Sequence, residues 1–241
     1  MTDFGVQTIT FAFVGGILPP FIWLWFWLKE DKKHPEPKRL IALAFVFGMI
    51  VVLPVFKLES VVCNAYLNAC NNLQNISVAQ VVIIFLWVII EEIGVLIIAY
   101  LVVLRRKEVD EPIDYTVYLI TTALGFAALE NALFLTNPQS SGFTLPGFIT
   151  SDLRFFGATL LHVATAGVIG VTLGFGFYKT KVYKFGYFLL GVGLAVALHT
   201  GFNLSIIMMG GKASLFVSAA VWSVIMSLLL ILEKVKRIHP N

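Results

Sequence analysis

Long apolar runs separated by short charged segments make up most of the sequence. Such runs are typical of helices that span lipid, because each of these helices satisfies its backbone hydrogen bonds within its own segment. The core of a soluble protein would instead give amphipathic periodicity. The pattern predicts an all-α bundle of about seven transmembrane helices, at 4–28, 40–56, 78–104, 115–136, 155–178, 187–209 and 215–232.

The composition agrees with this pattern. Hydrophobic residues make up 59% of the 241 residues and charged residues only 13%, whereas soluble domains carry roughly 45–50% apolar and about 25% charged residues. We therefore expect a single integral membrane domain over residues 1–241 and almost no soluble part.

The basic residues predict the topology. If seven helices alternate, 14 of the 17 lysines and arginines lie on one side of the membrane, and only Lys57, Arg154 and Lys212 lie on the other. The positive-inside rule then predicts an N-terminus outside and a C-terminus inside. These residues lie in loops without the polar, aromatic-interleaved surface that nucleic-acid binding needs, so we expect no nucleic-acid partner.

The two cysteines, Cys63 and Cys70, share one predicted loop on the outer side. Two cysteines are too few for a metal site of their own. In an extracytoplasmic loop they are a candidate disulfide.

Five ionisable residues lie within the predicted spans, accompanied by Asn131 and Asn203. A charge at the bilayer centre costs about 2.5–3.5 kcal/mol on insertion scales, so such residues face the bundle interior and indicate function. On three of the helices they share a face with small residues, as His199 does with Gly191 and Ala195 at four-residue spacing, and small residues allow close helix packing. The sequence thus predicts a pocket between the mid-plane and the outer leaflet, formed by the helices that carry Glu91, Glu92, Glu130, His162 and His199.

These residue types suit peptide hydrolysis. Glutamate and histidine can activate water and protonate a leaving amine, and histidine and asparagine N–H groups can stabilise an oxyanion. Two histidines and a carboxylate can also hold a zinc ion, for which Glu91, Glu130, His162 and His199 are candidates. No serine or cysteine is paired with a histidine by spacing, and no His-Glu-x-x-His zinc motif occurs.

Four motifs in this order resemble the PrsW family of intramembrane proteases. They are Glu91-Glu92, the segment 125–131 (GFAALEN), Arg154 with His162, and the segment 199–203 (HTGFN). They lie within a core at 78–209. More distantly, the set is similar to the CAAX prenyl endopeptidases and bacteriocin-processing membrane proteases.

The resemblance implies an endopeptidase of a prokaryotic plasma membrane. It would cut a membrane-anchored substrate, typically an anti-sigma factor, near the extracytoplasmic surface. Glu91 or Glu92 would activate the water with help from Glu130 and His162, and His199 and Asn203 would hold the oxyanion. Phe126, Asn131 and Arg154 would support the site. A divalent metal such as zinc is an open alternative to catalysis by glutamate alone.

One departure from the family pattern concerns charge. Val95 stands where the family has a lysine, and Leu96 stands where the related endopeptidases have an arginine. Arg154 or a metal would have to compensate the two adjacent carboxylates. Three further hypotheses therefore stay open, namely a proton-coupled transporter, a scaffold that keeps the protease fold without activity and, more remotely, a bis-histidine haem protein using His162 and His199.

Overall fold

The computed structural model describes residues 6–29, 34–66, 77–136, 145–209 and 214–239, and within them it contains seven helices and no strand. The third helix ends in one π-helical turn, Tyr100–Leu104. The helices are α1 Val6–Trp27, α2 Lys38–Ala65, α3 Val78–Ala99, α4 Asp114–Thr136, α5 Leu145–Phe175, α6 Lys181–Met209 and α7 Ser214–Val235.

Six of these helices, α2 to α7, are long and apolar enough to cross a membrane, and α1 contributes a shorter apolar stretch, Val14–Trp27. Their lipid-facing surfaces expose large apolar side chains such as Leu53, Val182 and Leu230. Apolar side chains on the outside are what a bilayer solvent favours. The predicted all-α transmembrane bundle is confirmed.

Three helices extend well beyond the predicted spans, and one of them, α6, begins at Lys181 rather than at 187. Helix α2 continues through Pro54 to Ala65, so that Lys57 and Glu59 are helical rather than in a loop. Helix α5 begins at Leu145, well before the predicted start at 155. The loop predictions were wrong here because hydropathy marks where the chain leaves lipid, whereas a helix continues as long as its backbone hydrogen bonds do.

Helix α4 is the centre of the bundle. It packs against α1, α2, α3 and α5, and α5 in turn packs against α6 and α7. The side chains of α4 from Thr116 to Ala128 are buried on every side of the helix. A helix that is apolar and buried all round forms the core of a membrane bundle.

Glycines allow α2 and α4 to touch through their backbones. A Cβ on Gly125 of α4 would lie 2.0 Å from the carbonyl oxygen of Phe45, and one on Gly48 of α2 would lie 2.1 Å from that of Thr122. Neither position can accommodate a side chain without moving a helix. This contact fixes the rotation of α4, which carries Phe126 and Glu130 towards the site.

The cysteine prediction falls partly on residues outside the described chain. Cys63, in the last turn of α2, is disulfide-bonded. Cys70 lies outside the described residues.

Candidate active site

The first half of the site lies between α3 and α6, where His199 stands between two adjacent carboxyl groups. Nδ1 of His199 lies 2.7 Å from Oε1 of Glu92, and Nε2 lies 3.3 Å from Oε2 of Glu91. Consecutive residues of a helix differ by about 100° in direction. That divergence lets the two carboxyl groups approach opposite edges of one imidazole ring. The side chains of His199 and Glu92 are only 4% and 5% exposed.

The second half lies between α4 and α5. Nε2 of His162 lies 3.0 Å from Oε2 of Glu130. The ring of Phe126, one turn before Glu130 on α4, packs against the imidazole of His162 with its centroid 5.2 Å away. The histidine is buried, whereas the Glu130 side chain keeps 27% of its surface exposed. Phe126 thus packs against the imidazole while Glu130 contacts its Nε2.

The two halves meet at the histidines. The rings of His162 and His199 are nearly perpendicular, with centroids 5.3 Å apart. All five predicted ionisable residues therefore converge on one cluster, contributed by α3, α4, α5 and α6. These five side chains thus lie together as a shared site requires, and their roles stay a prediction.

The predicted supporting residues have different surroundings. Nδ2 of Asn131 donates a hydrogen bond to Oγ1 of Thr159 at 3.0 Å, which ties α4 to α5 beside the Glu130–His162 pair. Asn203 is partly buried one turn beyond His199 on α6, and among the described side chains it forms no hydrogen bond with the histidines or the carboxyl groups. Arg154 belongs to α5, but its side chain lies outside the described residues.

Sequence reasoning missed Glu59. This residue lies near the C-terminal end of α2, and Nε1 of Trp87, one turn before Glu91 on α3, donates a hydrogen bond to its backbone carbonyl at 3.2 Å. It was overlooked because the predicted second span ended at 56. The signal was nevertheless present, since Glu59 continues the helical stripe of Val52 and Val55, both of which are buried.

The cluster contains two groups of side chains that can each hold a metal ion. In each group, one donor atom per residue lies within 4.8 Å of the others. One group is Glu92, His162 and His199, and the other is Glu91, Glu130 and His162. The first matches the two-histidine, one-carboxylate set of many catalytic zinc sites. Glu92 is not among the metal ligands that the sequence predicts, of which the carboxylates are Glu91 and Glu130.

Val95, which stands where the family pattern has a lysine, lies in an apolar and buried position. Val95 is 6% exposed and Leu96 8% exposed, and both pack in the hydrophobic core. Within the described side chains, the ion pairs of Glu91 and Glu92 are with His199. In this half of the site the histidine therefore takes the place next to the carboxylates that a lysine would occupy.

Comparison with known proteins gives one family and several bacterial relatives. The sequence model described as PrsW family intramembrane metalloprotease matches residues 36–231. The Protease PrsW of Geobacillus kaustophilus is 28% identical over 166 residues, which cover 69% of this chain and 65% of that protein. The Protease PrsW of Oceanobacillus iheyensis is 26% identical over 192 residues, covering 78% and 79%. The Bacillus subtilis Protease PrsW is 26% identical over 167 residues, covering 69% and 67%. No solved structure matches the chain.

Proposed function

This chain belongs to the PrsW family of intramembrane metalloproteases, and from that premise we propose that it is an endopeptidase that hydrolyses a peptide bond of a membrane-anchored protein near the extracytoplasmic face. The observation that carries the proposal is the cluster itself. Two histidines and three glutamates from four helices lie together inside an integral membrane protein. Such groups are costly in lipid and are therefore typical of function.

Within this proposal, Glu91 is the base. Glu92 is 5% exposed and lies 2.7 Å from His199, whereas Glu91 is 12% exposed and 3.3 Å from the other ring nitrogen. Glu91 is thus the more accessible and less tightly held carboxyl group. It acts first as a general base, which accepts a proton from the attacking water. It then acts as a general acid and delivers that proton to the leaving amine.

Glu130 and His162 form the second catalytic pair. The carboxyl group of Glu130 engages Nε2 of His162 and remains partly exposed, so it can face a substrate carbonyl as well as the ring. A carboxylate that contacts a histidine fixes its tautomer and its orientation. The pair assists Glu91 by moving or holding a proton on the opposite side of the scissile bond.

The oxyanion assignment needs revision for His199. Both of its ring nitrogens face carboxyl groups, so neither nitrogen is free to donate to a developing oxyanion in this arrangement. Asn203 lies on the same face of α6, and its amide is the better donor. His199 contributes only when Nε2 turns away from Glu91. We therefore assign His199 to orientation of the two glutamates or, with a metal bound, to holding that metal together with Glu92 and His162.

The residues present fit a divalent metal. Glu92, His162 and His199 offer one oxygen and two nitrogen donors within 4.8 Å of one another, and zinc prefers such donors. A bound zinc ion would supply polarisation of the substrate carbonyl and would lower the pKa of a bound water to near neutrality. Glu91 then remains beside the metal-holding residues as the proton acceptor, which separates the roles of the two adjacent glutamates.

The finer assignments follow from the family and the charge pattern. We propose an anti-sigma factor as the substrate, an N-terminus outside and a C-terminus inside, and one membrane domain with its core at 78–209. Membership of the wider superfamily of CAAX prenyl endopeptidases belongs to the same proposal. The six apolar spans and the bacterial relatives are consistent with a protein of a prokaryotic plasma membrane.

The experiment reconstitutes the protein in host membranes and profiles new N-termini by mass spectrometry. We expect wild type to generate termini near the outer membrane boundary, and Glu91→Gln, Glu130→Gln and His162→Ala each to abolish them. Glu233→Gln is the matched control, because Glu233 lies on exposed α7 and pairs with Lys236 at 2.6 Å. A chelator followed by added zinc tests the metal in wild type.

Full activity in all three variants would refute the proposal. If wild type and His162→Ala give the same termini, the chain is a scaffold or a transporter, and the buried Val95 becomes the leading reason for lost hydrolysis. Proton flux in liposomes then distinguishes those two. Activity that survives chelation would leave Glu91 as base without a metal.

A further inference from the structure

A groove of about 520 Å³ lies between α3 and α6, at the end of the bundle where α3 ends and α6 begins. Its walls are almost entirely apolar, and Ile97, Leu101 and Phe185, which line it from both helices, are exposed. On α3 the lining residues run from Ile93 to Leu104, a length of about 16 Å at 1.5 Å per residue. This length is roughly half of the 30 Å hydrocarbon core, so the groove has the depth of one lipid leaflet.

One end of this groove is charged. Lys184, in the first turn of α6, is the charged residue among the described residues that line it. Its Nζ lies 5.8 Å from the centroid of the Phe177 ring, within the range of a cation–π contact. Phe177 in turn packs against Tyr115, which also lines the groove, with ring centroids 5.5 Å apart. These aromatic rings place the ammonium group of Lys184 at the end of the groove where α6 begins.

Other basic residues lie at the same end of the bundle. They follow α3 directly or lie between the end of α5 and the first residue of α6, and they are Arg105, Arg106, Lys107, Lys179 and Lys181. The acidic residues of the neighbouring loop do not offset them within the groove, because none of its described lining residues carries a carboxyl group. Asp114 instead accepts hydrogen bonds from the backbone N–H groups of Asp110 and Glu111 at 2.8 and 2.7 Å. The groove is therefore apolar along its length and positive at one end.

An apolar groove with a positive end matches the chemistry of an acidic phospholipid. Basic pockets between transmembrane helices bind the headgroups of such lipids. We propose that this groove binds one acidic phospholipid, with an acyl chain along Ile97, Leu101 and Phe188 and the headgroup phosphate at Lys184. A zwitterionic lipid carries a second, positive headgroup charge that a lysine repels, so the site favours a lipid with net negative charge. The basic end is also the end that the charge pattern assigns to the cytoplasmic side.

A lipid in this groove contacts both helices that form one half of the site. Ile93 and Leu96 of α3 line the groove directly after Glu92, and Glu92 lies 2.7 Å from His199 of α6. In the apolar stretch of α6 only 22% of the residues are buried within the protein. The bound lipid therefore adds apolar contacts where α6 has few, and it stabilises the pairing of α3 with α6 without forming part of the catalytic cluster.

Native mass spectrometry of the detergent-solubilised protein tests the proposal without any substrate. Phosphatidylglycerol and phosphatidylcholine with identical acyl chains are titrated in turn. Wild type should bind phosphatidylglycerol about fivefold more tightly, and Lys184→Gln should remove that difference, which is the effect expected of one lysine near an anionic headgroup. Lys234→Gln is the matched control, because the exposed Lys234 lies in the last turn of α7, at the same end of the bundle but outside the groove. It should bind both lipids as wild type does.

A second pair of variants tests the position of the acyl chain. Ile97→Trp fills part of the groove and should weaken the binding of both lipids severalfold. Leu194→Trp is its control, because Leu194 is similarly exposed on α6 but does not line the groove. The unfolding temperature of each variant, measured in detergent without added lipid, should match that of wild type.

Three results would overturn the proposal. Equal binding of the two lipids by wild type would mean that the groove does not recognise an acidic headgroup. An equal loss in Lys234→Gln would mean that the lipid responds to the charge of the whole end of the bundle rather than to Lys184. Unchanged binding in Ile97→Trp would place the acyl chain outside the groove, which would then be open to a transmembrane helix of another protein. Because no cleavage is measured, failure of the proposed protease function leaves each of these outcomes unaffected.

Discussion

Glu130 and His162 face each other from two helices that the bundle buries, whereas His199 reaches Glu91 and Glu92 from a helix that is mostly exposed. In the apolar stretches of α4 and α5, 78% and 72% of the residues are buried, against 22% in α6. The same kind of contact, between an imidazole and a carboxyl group, therefore lies between two well-buried helices in one half and involves a mostly exposed helix in the other.

The difference indicates what holds each half together. Apolar side chains and backbone contacts pack α4 and α5 over most of their length. Helix α6 buries fewer positions, notably Gly191, Ala195, Val196 and His199. In lipid, the hydrophobic effect does not favour the association of apolar helices. Polar contacts therefore contribute a larger part of the free energy that holds α6 in the bundle. We infer that His199 is structural as well as chemical, and that His162 is mainly chemical.

The largest expected effect on stability is that of His199→Ala compared with His162→Ala. Removing His199 leaves the carboxyl groups of Glu91 and Glu92 buried without their imidazole, and breaking a buried pair costs about 3–5 kcal/mol. Removing His162 leaves Glu130, which is 27% exposed and can reach water, so a cost of about 1–3 kcal/mol is expected. The losses in both variants are measured as changes in the free energy of unfolding in mixed micelles.

Equal losses in the two variants, or a larger loss for His162→Ala, would contradict the comparison. The triple variant Glu91→Leu, Glu92→Leu and His199→Leu supplies a control. It removes all three groups of the contact rather than one partner, and such replacements by apolar residues are often close to neutral. We expect it to recover much of the stability that His199→Ala loses, without recovering activity.

A smaller effect concerns the packed half alone. Gly125→Ala on α4 places a Cβ 2.0 Å from the Phe45 carbonyl oxygen, so the backbones must separate, and overpacking of this kind costs about 1–3 kcal/mol. Gly193→Ala on α6 is the matched control, because a Cβ there meets nothing within 4 Å. We expect the control to be neutral or slightly stabilising, since alanine favours a helix over glycine. Thermal unfolding of both variants distinguishes them.

A neutral Gly125→Ala would mean that the contact between α2 and α4 is looser than the structure indicates. In that case the Phe126 and Glu130 side chains would not owe their direction to this helix crossing. A strongly destabilised Gly193→Ala would instead imply that a partner helix covers the exposed face of α6.

Much of this arrangement could be predicted from the sequence. Hydropathy predicted the helices, because a helix satisfies the hydrogen bonds of its own backbone within lipid. The ionisable residues could be assigned to the interior because their cost in lipid excludes the outer surface. The spacing of Gly191, Ala195 and His199 gave the inward face of α6 correctly, since residues four apart share a face.

The pairing of these residues could not be predicted. Spacing gives the face of a helix but not the helix that it meets, so nothing in the sequence assigned His199 to Glu91 and Glu92 or His162 to Glu130. Glu59 was missed for another reason. Its segment is polar enough to leave the hydrophobic run, yet the helix carries it back onto the buried face.

The smallest expected effect is that of the hydrogen bond between Asn131 and Thr159. Thr159→Val keeps the volume of the side chain and removes the acceptor of the 3.0 Å bond from Asn131. Bonds of this kind between membrane helices contribute about 0.6 kcal/mol on average, so we expect a loss near this value and a less than tenfold loss of kcat. Thr121→Val is the matched control, because its buried hydroxyl donates only within α4, to the Val117 carbonyl.

The difference in unfolding free energy between Thr159→Val and Thr121→Val tests the comparison of the two halves. If α4 and α5 are held by apolar and backbone contacts, Thr159→Val should lower the free energy of unfolding only slightly more than Thr121→Val does. A loss as large as that of His199→Ala would mean that the packed half also depends on its polar contacts. The distinction between a chemical His162 and a structural His199 would then fail, because both helix pairs would rely on hydrogen bonds in the same way.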